Sequence, residues 1–332
     1  MTAPMLGTTL YSFTNEWVIG RYTLTGLLEE VAASGIGPGV EVVGFQSFRG
    51  YPHLDRETVR EFRDAVDRLG LVPTSLGSNI DIAIRTDRDL TTDERVEYTV
   101  PQLEVAAELG FPVVRVQIGA DPATLERLVP VAERLGLHLG MEIHAPEGPA
   151  TPKVLRYREL YDRLDSEALG FIPDFSSTMH RITDGLAETF VDAGLPRDLL
   201  DDLQRIWAGD GSQGSRLSEF LTLASDAGVD DAAAQTVAAA FTMNGHEDPA
   251  GWAELMPRVR HIHAKFYEID AEGEEPSIGY AANLGPLLRA GFRGSISSEW
   301  EAHSWTPNDE LATADMIRRH HDLMRRTLTE GE

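Results

Sequence analysis

Eight short apolar runs, each followed by an amphipathic segment, fill almost the whole chain, and this alternation most limits the folds open to it. The runs lie at 6–13, 39–45, 71–77, 112–118, 137–145, 169–176, 260–268 and 294–302. Segments such as "DRETVREFRDAVDRLG" and "DPATLERLVPVAERLG" carry apolar residues at helical spacing and end in Gly. Leu69-Gly70, Leu109-Gly110 and Leu135-Gly136 mark helices handing over to strands. Glycine serves there because it takes up the left-handed backbone that closes a helix. Eight strand–helix units in 332 residues match a (β/α)8 TIM barrel, read as one domain over 1–332. The rival, a doubly wound sheet, calls for a Gly-rich phosphate-binding turn after an early strand, and none is found.

One interval breaks the rhythm. From Glu142 to Asp174 is 32 positions and from His263 to Glu299 is 36, but from Asp174 to His263 is 89. The excess, about 183–251, is expected to be a helical insertion between strands six and seven. Inserted loops on the C-terminal face of a barrel cover the active site or meet a partner chain.

The run "GMEIHAPEGP" places Glu142 and His144 two positions apart in a strand that otherwise reads as buried. Strand side chains alternate, so both are expected to point into the barrel mouth while Met141 and Ile143 face the helices. The next strand brings in Asp174. Strand seven alternates His261, His263 and Lys265 with apolar residues, and strand eight brings in Ser297, Glu299 and Glu301. Four consecutive strands thus deliver ionisable groups near their C-terminal ends, where barrel enzymes build their sites.

Carboxylates crowded in one cavity raise each other's pKa unless a positive charge joins them. A lone buried carboxylate is more often half of a structural ion pair. Four groups in strand order with matching parity point instead to a divalent cation. Glu142, Asp174, His263 and Glu299 form an oxygen-rich set with one nitrogen, which suits Mn2+ best, with Mg2+, Co2+ or Zn2+ also tolerated.

The charge balance narrows the partners. Fifty-four acidic residues against 29 basic give a formal net charge of -25, which repels phosphate backbones and anionic lipid. Neither nucleic acid nor membrane is expected. A barrel nuclease with three zinc ions would need more histidines than the 10 present, and a basic face. The N-terminal residues lack a signal-peptide pattern and no run is long enough to span a bilayer, so a cytoplasmic protein is expected.

Glu142, Asp174, His263 and Glu299, with "IHAKF" and "SSEWE", resemble the metal ligands and surroundings of the xylose isomerase-like barrels. That group includes sugar-phosphate isomerases, ketose 3-epimerases and inosose dehydratases. Within it, "TTLYSFTNEW", the E-I-H of strand five and the insertion look most like the catalytic α-subunits of bacterial C-glycoside deglycosidases. One departure is clear: sugar 3-epimerases carry a His three residues after the strand-six Asp, and Ser177 stands there, with His180 later.

The resemblance implies a lyase that removes a proton next to a sugar carbonyl, with Glu142 and Glu299 as the acid–base pair. For a C-glycoside whose sugar carries a 3-ketone, loss of the C2 proton expels the aromatic ring from C1 by β-elimination. His144 would then handle protons beside the cation, or orient one of its ligands. The resemblance also implies a small β-subunit, giving a hetero-oligomer. Isomerisation or epimerisation of a non-phosphorylated ketose is the alternative. A phosphate substrate is disfavoured because the loops "EIDAEGEEPSIG" and "EAHSWTPNDE" are acidic.

Further candidates complete the reading. Lys265 is expected to ion-pair with the carboxylates, and His261, lying deeper, to be a satisfied core residue. Arg115 and Gln117 share a strand face within reach of sugar hydroxyls, with an internal salt bridge the stronger expectation for Arg115. Phe13 and Trp17 hint at an aromatic mouth for an aglycone, whereas Trp300 and Trp305 read as packing.

Overall fold

The computed structural model describes residues 3–80, 85–117 and 119–330. Eight parallel strands surround a central core: β1 (Met5–Thr9), β2 (Gly39–Val43), β3 (Val72–Gly77), β4 (Val113–Val116), β5 (His138–Ile143), β6 (Leu169–Pro173), β7 (His261–Phe266) and β8 (Ser295–Trp300). Their order is β6-β5-β4-β3-β2-β1-β8-β7, with every adjacent pair parallel. The seam between β6 and β7 is drawn together by Phe171 N donating to Arg258 O at 2.8 Å and Arg260 N to Phe171 O at 3.0 Å. Bridges pair Phe171 with Val259 and Asp174 with His263, so two candidate ligands face each other across the closure. The result is a nearly closed TIM barrel.

Every strand matches an expected run, and all but β3 end before their run does. Residues Leu10–Phe13 form a 3-10 turn and Gly44–Ser47 a short helix. β5 stops at Ile143, so His144 stands just beyond the strand rather than in it. The fourth run was read to residue 118, which lies outside the described residues. The cause is common to those that end early: apolar and polar residues continue past the last ladder bond into the loops that form the mouth.

The helix stops are as expected. Gly70, Gly110 and Gly136 have φ of 66°, 90° and 69°, and each ends a helix: Arg56–Leu69, Thr92–Leu109 and Pro122–Leu135. Glycine has a different task where β1 meets β2. A Cβ on Gly7 would lie 2.6 Å from the carbonyl oxygen of Gly39, so only glycine lets the two backbones approach.

Between β6 and β7 the chain builds helices Asp184–Asp192, Leu200–Trp207, Gln213–Asp226 and Asp231–Met243, followed by a 3-10 segment Pro249–Leu255. Each of the first, third and fourth opens with a side chain that accepts a backbone N–H: Thr183, Ser212 and Asp230. Phe190, Trp207, Phe220, Val237 and Phe241 are buried among these helices and extend the apolar core of the barrel. Among the described residues, no helix is long and apolar enough to cross a membrane.

Candidate metal centre and active site

The barrel interior near its C-terminal end is built from charged groups rather than from the branched aliphatics that usually fill it. Ligand atoms of Glu142, Asp174, His263 and Glu299 all lie within 4.8 Å of one another, and the four side chains are nearly buried. Nδ1 of His263 is 2.8 Å from Glu142 Oε1, 3.3 Å from Glu299 Oε2 and 3.8 Å from Asp174 Oδ2. Asp174 Oδ2 and Glu299 Oε2 are buried without a hydrogen-bond partner, an expensive state for a carboxylate oxygen. Two orphaned anionic oxygens converging with an imidazole nitrogen fit a divalent cation.

Neighbouring charges support this. Glu41, Glu142, Asp174, Glu299 and Glu301 bring five carboxylates against the two permanent cations Arg115 and Lys265. Burial pushes Glu142 upward, but the Arg115 guanidinium, 3.6 Å away, and the His263 bond hold its carboxyl at about 2. Asp174 is likewise held low against burial, chiefly by Lys265. Glu299 goes the other way: burial raises it to about 7, and Lys265 only partly offsets that.

Lys265, 3 % exposed, sits among three carboxylates: 2.7 Å from Glu301, 3.1 Å from Glu299 and 3.6 Å from Asp174. Tyr11 OH donates to the other oxygen of Glu301 at 3.2 Å. Gln117, also past its strand end, has a buried Oε1 with no hydrogen-bond partner.

His144 stands outside the ligand cluster. Its Nδ1 is 2.7 Å from the Ala145 carbonyl oxygen, which can only accept, so Nδ1 carries the proton. In the neutral ring Nε2 is then left with a free lone pair, the form a proton acceptor needs. The side chain faces a cavity of about 270 Å3 that it shares with Lys265 and Glu301. That cavity lies between the rim of the barrel and two of the inserted helices.

Glu41 was not among the residues singled out from the sequence. It is 1 % exposed, and its two oxygens accept from two histidines: Oε1 from His263 Nε2 at 2.9 Å and Oε2 from His261 Nε2 at 3.1 Å. His261 also meets Ser295 Oγ at 2.6 Å, so it is satisfied and lies deeper, as expected. A signal for Glu41 existed: it is the single charge in the apolar run "GVEVVGF", as Glu142 is in its own strand.

The aromatic residues near the strand ends differ in setting. Phe13 is 1 % exposed and packs edge-to-face on Tyr22, so its ring is committed to the core. Trp17 is half-buried on the short helix Thr14–Val18, and neither residue lines the cavity. Trp305, read as packing, lines it together with Tyr267, the two rings stacked 5.9 Å apart. Trp300 is packing, its indole N–H donating to Tyr267 O.

Barrel and charged mouth together define a TIM-barrel enzyme, and the comparisons place its family. The chain belongs to the xylose isomerase-like TIM barrel family, whose model matches residues 28–326. It is 40 % identical over 341 residues to the 3'-dehydrocarminate deglycosidase alpha subunit of a Microbacterium species, covering 100 % of this chain and 97 % of that one. It is 41 % identical over 327 residues to a C-glycoside deglycosidase alpha subunit of Arthrobacter globiformis, covering 98 % and 93 %. Among solved structures, a xylose isomerase-like barrel protein from Mycobacterium smegmatis in complex with magnesium superposes with a TM-score of 0.57 at 12 % identity, covering 100 % and 99 %. That last likeness concerns the fold alone.

Proposed function

We propose that this chain is the catalytic α-subunit of a C-glycoside deglycosidase, acting on a 3-keto-C-glycoside. The observation that carries the reading is the pairing of an orphaned carboxylate cluster with a histidine just outside it whose Nδ1 is tied to a backbone carbonyl, in a chain about 40 % identical to enzymes of that name. A divalent cation, Mn2+ by preference, would be held by Glu142, Asp174, His263 and Glu299. When bound, it supplies Lewis-acid polarisation of a carbonyl and charge compensation as a proton leaves the neighbouring carbon.

The chain's own groups account for the proton traffic. Glu299 and Glu142 flank the site; one of them takes the C2 proton. The ring carbon takes a proton as a C1–C2 double bond forms and the bond from C1 to that carbon breaks, its electron pair restoring the aromatic ring. One proton leaves C2 and one joins the ring, so the step is redox-neutral and needs no co-reactant. His144 moves protons to or from the ring's hydroxyl through Nε2. Lys265 steadies negative charge as it builds on the departing ring, and Arg115 and Gln117 offer hydrogen bonds to sugar hydroxyls.

Partner and location belong to the same reading. We assign a small β-subunit as partner, giving a hetero-oligomer in the cytoplasm, consistent with the "alpha subunit" in the relatives' names. The barrel also suits isomerases and epimerases of free ketoses, so the decisive experiment is a comparison. Metal-loaded protein is incubated with a 3-keto-C-glucoside and, separately, with free ketohexoses, and the products are followed by mass. Release of the free aromatic compound supports the proposal; turnover of ketohexoses alone would overturn it.

A further inference from the structure

We propose that the cavity between the inserted helices and the barrel rim is the subsite for the planar, hydroxylated aromatic ring of the substrate. This rests on the C-glycoside reading above and says where the leaving group sits and which residues select it.

The cavity holds about 270 Å3, near the lower end of the ~300–1,000 Å3 typical of small-molecule sites. That suits a fused or linked ring system and excludes a long glycan. Its lining changes character from the inserted helices to the barrel. Phe190 of helix Asp184–Asp192 and Ala240 and Met243 of helix Asp231–Met243 contribute apolar side chains. Trp305 and Tyr267 also line it, their ring planes 11° apart. An aromatic face in the lining favours a flat partner and offers little to the many hydroxyls of a sugar.

On the barrel side the lining is charged: His144, Lys265 and Glu301. Lys265 is 3.1 Å from Glu299, so a ring in the cavity lies one side chain away from the ligand cluster. A phenol hydroxyl on that side would meet an ammonium, a carboxylate and an imidazole lone pair together. That is where a ring about to be protonated at carbon needs proton exchange. Met243 is 54 % exposed at the lip, a large apolar side chain left in water that a bound ring would cover.

The argument also gives the insertion a task. A barrel without 183–251 would have a polar sugar site but would lack the apolar side chains that line the cavity with Trp305 and Tyr267. Selectivity for the aglycone then draws on the inserted helices as well as on the barrel rim.

The test uses the full chain with its partner subunit and a free trihydroxyflavone as probe, with binding followed by calorimetry. Wild-type protein should bind the probe without any sugar present. Ala240→Phe, which fills the cavity from the inserted helix, should weaken binding at least tenfold and raise KM for a 3-keto-C-glycoside, with metal content unchanged. Trp305→Ala, which needs no extra space, should weaken probe binding as well and serves if the larger residue disturbs folding. No binding by wild type, or wild-type affinity in both variants, would overturn the proposal. If the flavone binds and Ala240→Phe abolishes that, while wild type cleaves no C–C bond, the subsite stands and the deglycosidase reading fails.

Discussion

Glu41 accepts a hydrogen bond from Nε2 of His263, 2.9 Å away, and so leaves Nδ1 as the nitrogen that faces Glu142, Asp174 and Glu299. A histidine can offer a lone pair to a cation only from the nitrogen that carries no proton. Glu41 therefore selects the tautomer that the proposed metal centre needs. Its second oxygen does the same for His261, which ties β2 to β7 across the barrel.

Replacing Glu41 by Gln removes one of the two accepting oxygens and puts an N–H against a histidine N–H. Metal affinity is expected to fall about 10–100-fold, with all four proposed ligands still present. Isothermal titration of the metal-stripped protein with Mn2+ measures this. Unchanged affinity would show that the cluster orients His263 without help from β2.

Glu142 and His144 should separate on substitution. Glu142→Ala takes away a proposed ligand and leaves Arg115 without its carboxylate, so both bound metal and turnover should be lost. His144→Ala should keep its metal and lose about 10²–10⁴ in turnover, the usual worth of a general acid or base. Elemental analysis beside rate measurements distinguishes the two outcomes. Equal metal loss in both would make His144 a ligand or its brace.

Lys265→Met tests the charge balance. The ammonium is buried among Asp174, Glu299 and Glu301, and removing it strands three carboxylates. The metal-stripped variant should lose about 3–5 kcal/mol of stability, the cost of breaking a buried pair from one side. Added Mn2+ should recover part of that by supplying the missing positive charge. Urea unfolding with and without the cation gives both numbers.

Part of the acid sensitivity lies away from the site, on the C-terminal helix Thr313–Glu330. Burial lowers His321 from 6.5 to about 4 and lowers His320 in the same direction. Nε2 of His321 donates to Gly7 O at 3.0 Å, and His320 lies flat on Phe266, their ring centroids 4.0 Å apart. A depressed pKa means that the unfolded chain takes up protons first. The stability from a neutral His321 is complete above pH 6.5 and is lost as pH falls toward 4, about 3 kcal/mol in all. His321→Gln, which keeps an N–H for Gly7, should show a flatter fall of the urea midpoint across that range. An unaltered slope would place the acid sensitivity elsewhere.

Assembly has its own test. Co-expression with the small partner should shift the chain to a larger mass and raise turnover. An active monomer from which 183–251 has been deleted would refute a role for that segment in either the mouth or the interface.

Much of this was legible in the chain itself. Hydrophobic periodicity and the three Leu-Gly stops carry the barrel, because strands and helices differ in period and only glycine closes a helix cheaply in the left-handed region. The spacing of Asp174 from His263 carries the insertion. The parity of β7 placed His261, His263 and Lys265 on one face, since a strand has no other way to arrange alternate residues.

What the sequence could not decide is everything that depends on which strands end up opposite one another. Glu41 lies 222 positions before His263, and no local pattern joins them; closing the barrel does. Trp305 looks like any other tryptophan until the helix Asp231–Met243, far from it in the chain, arrives to line the same cavity. His144 reads as a strand residue, yet the ladder stops one residue earlier, and its proton is fixed by a carbonyl beyond the strand. Side-chain period is a local property and survives in one dimension. Pairing across a closed sheet and packing of an insertion against a rim are relations between distant segments, and only the tertiary structure contains them.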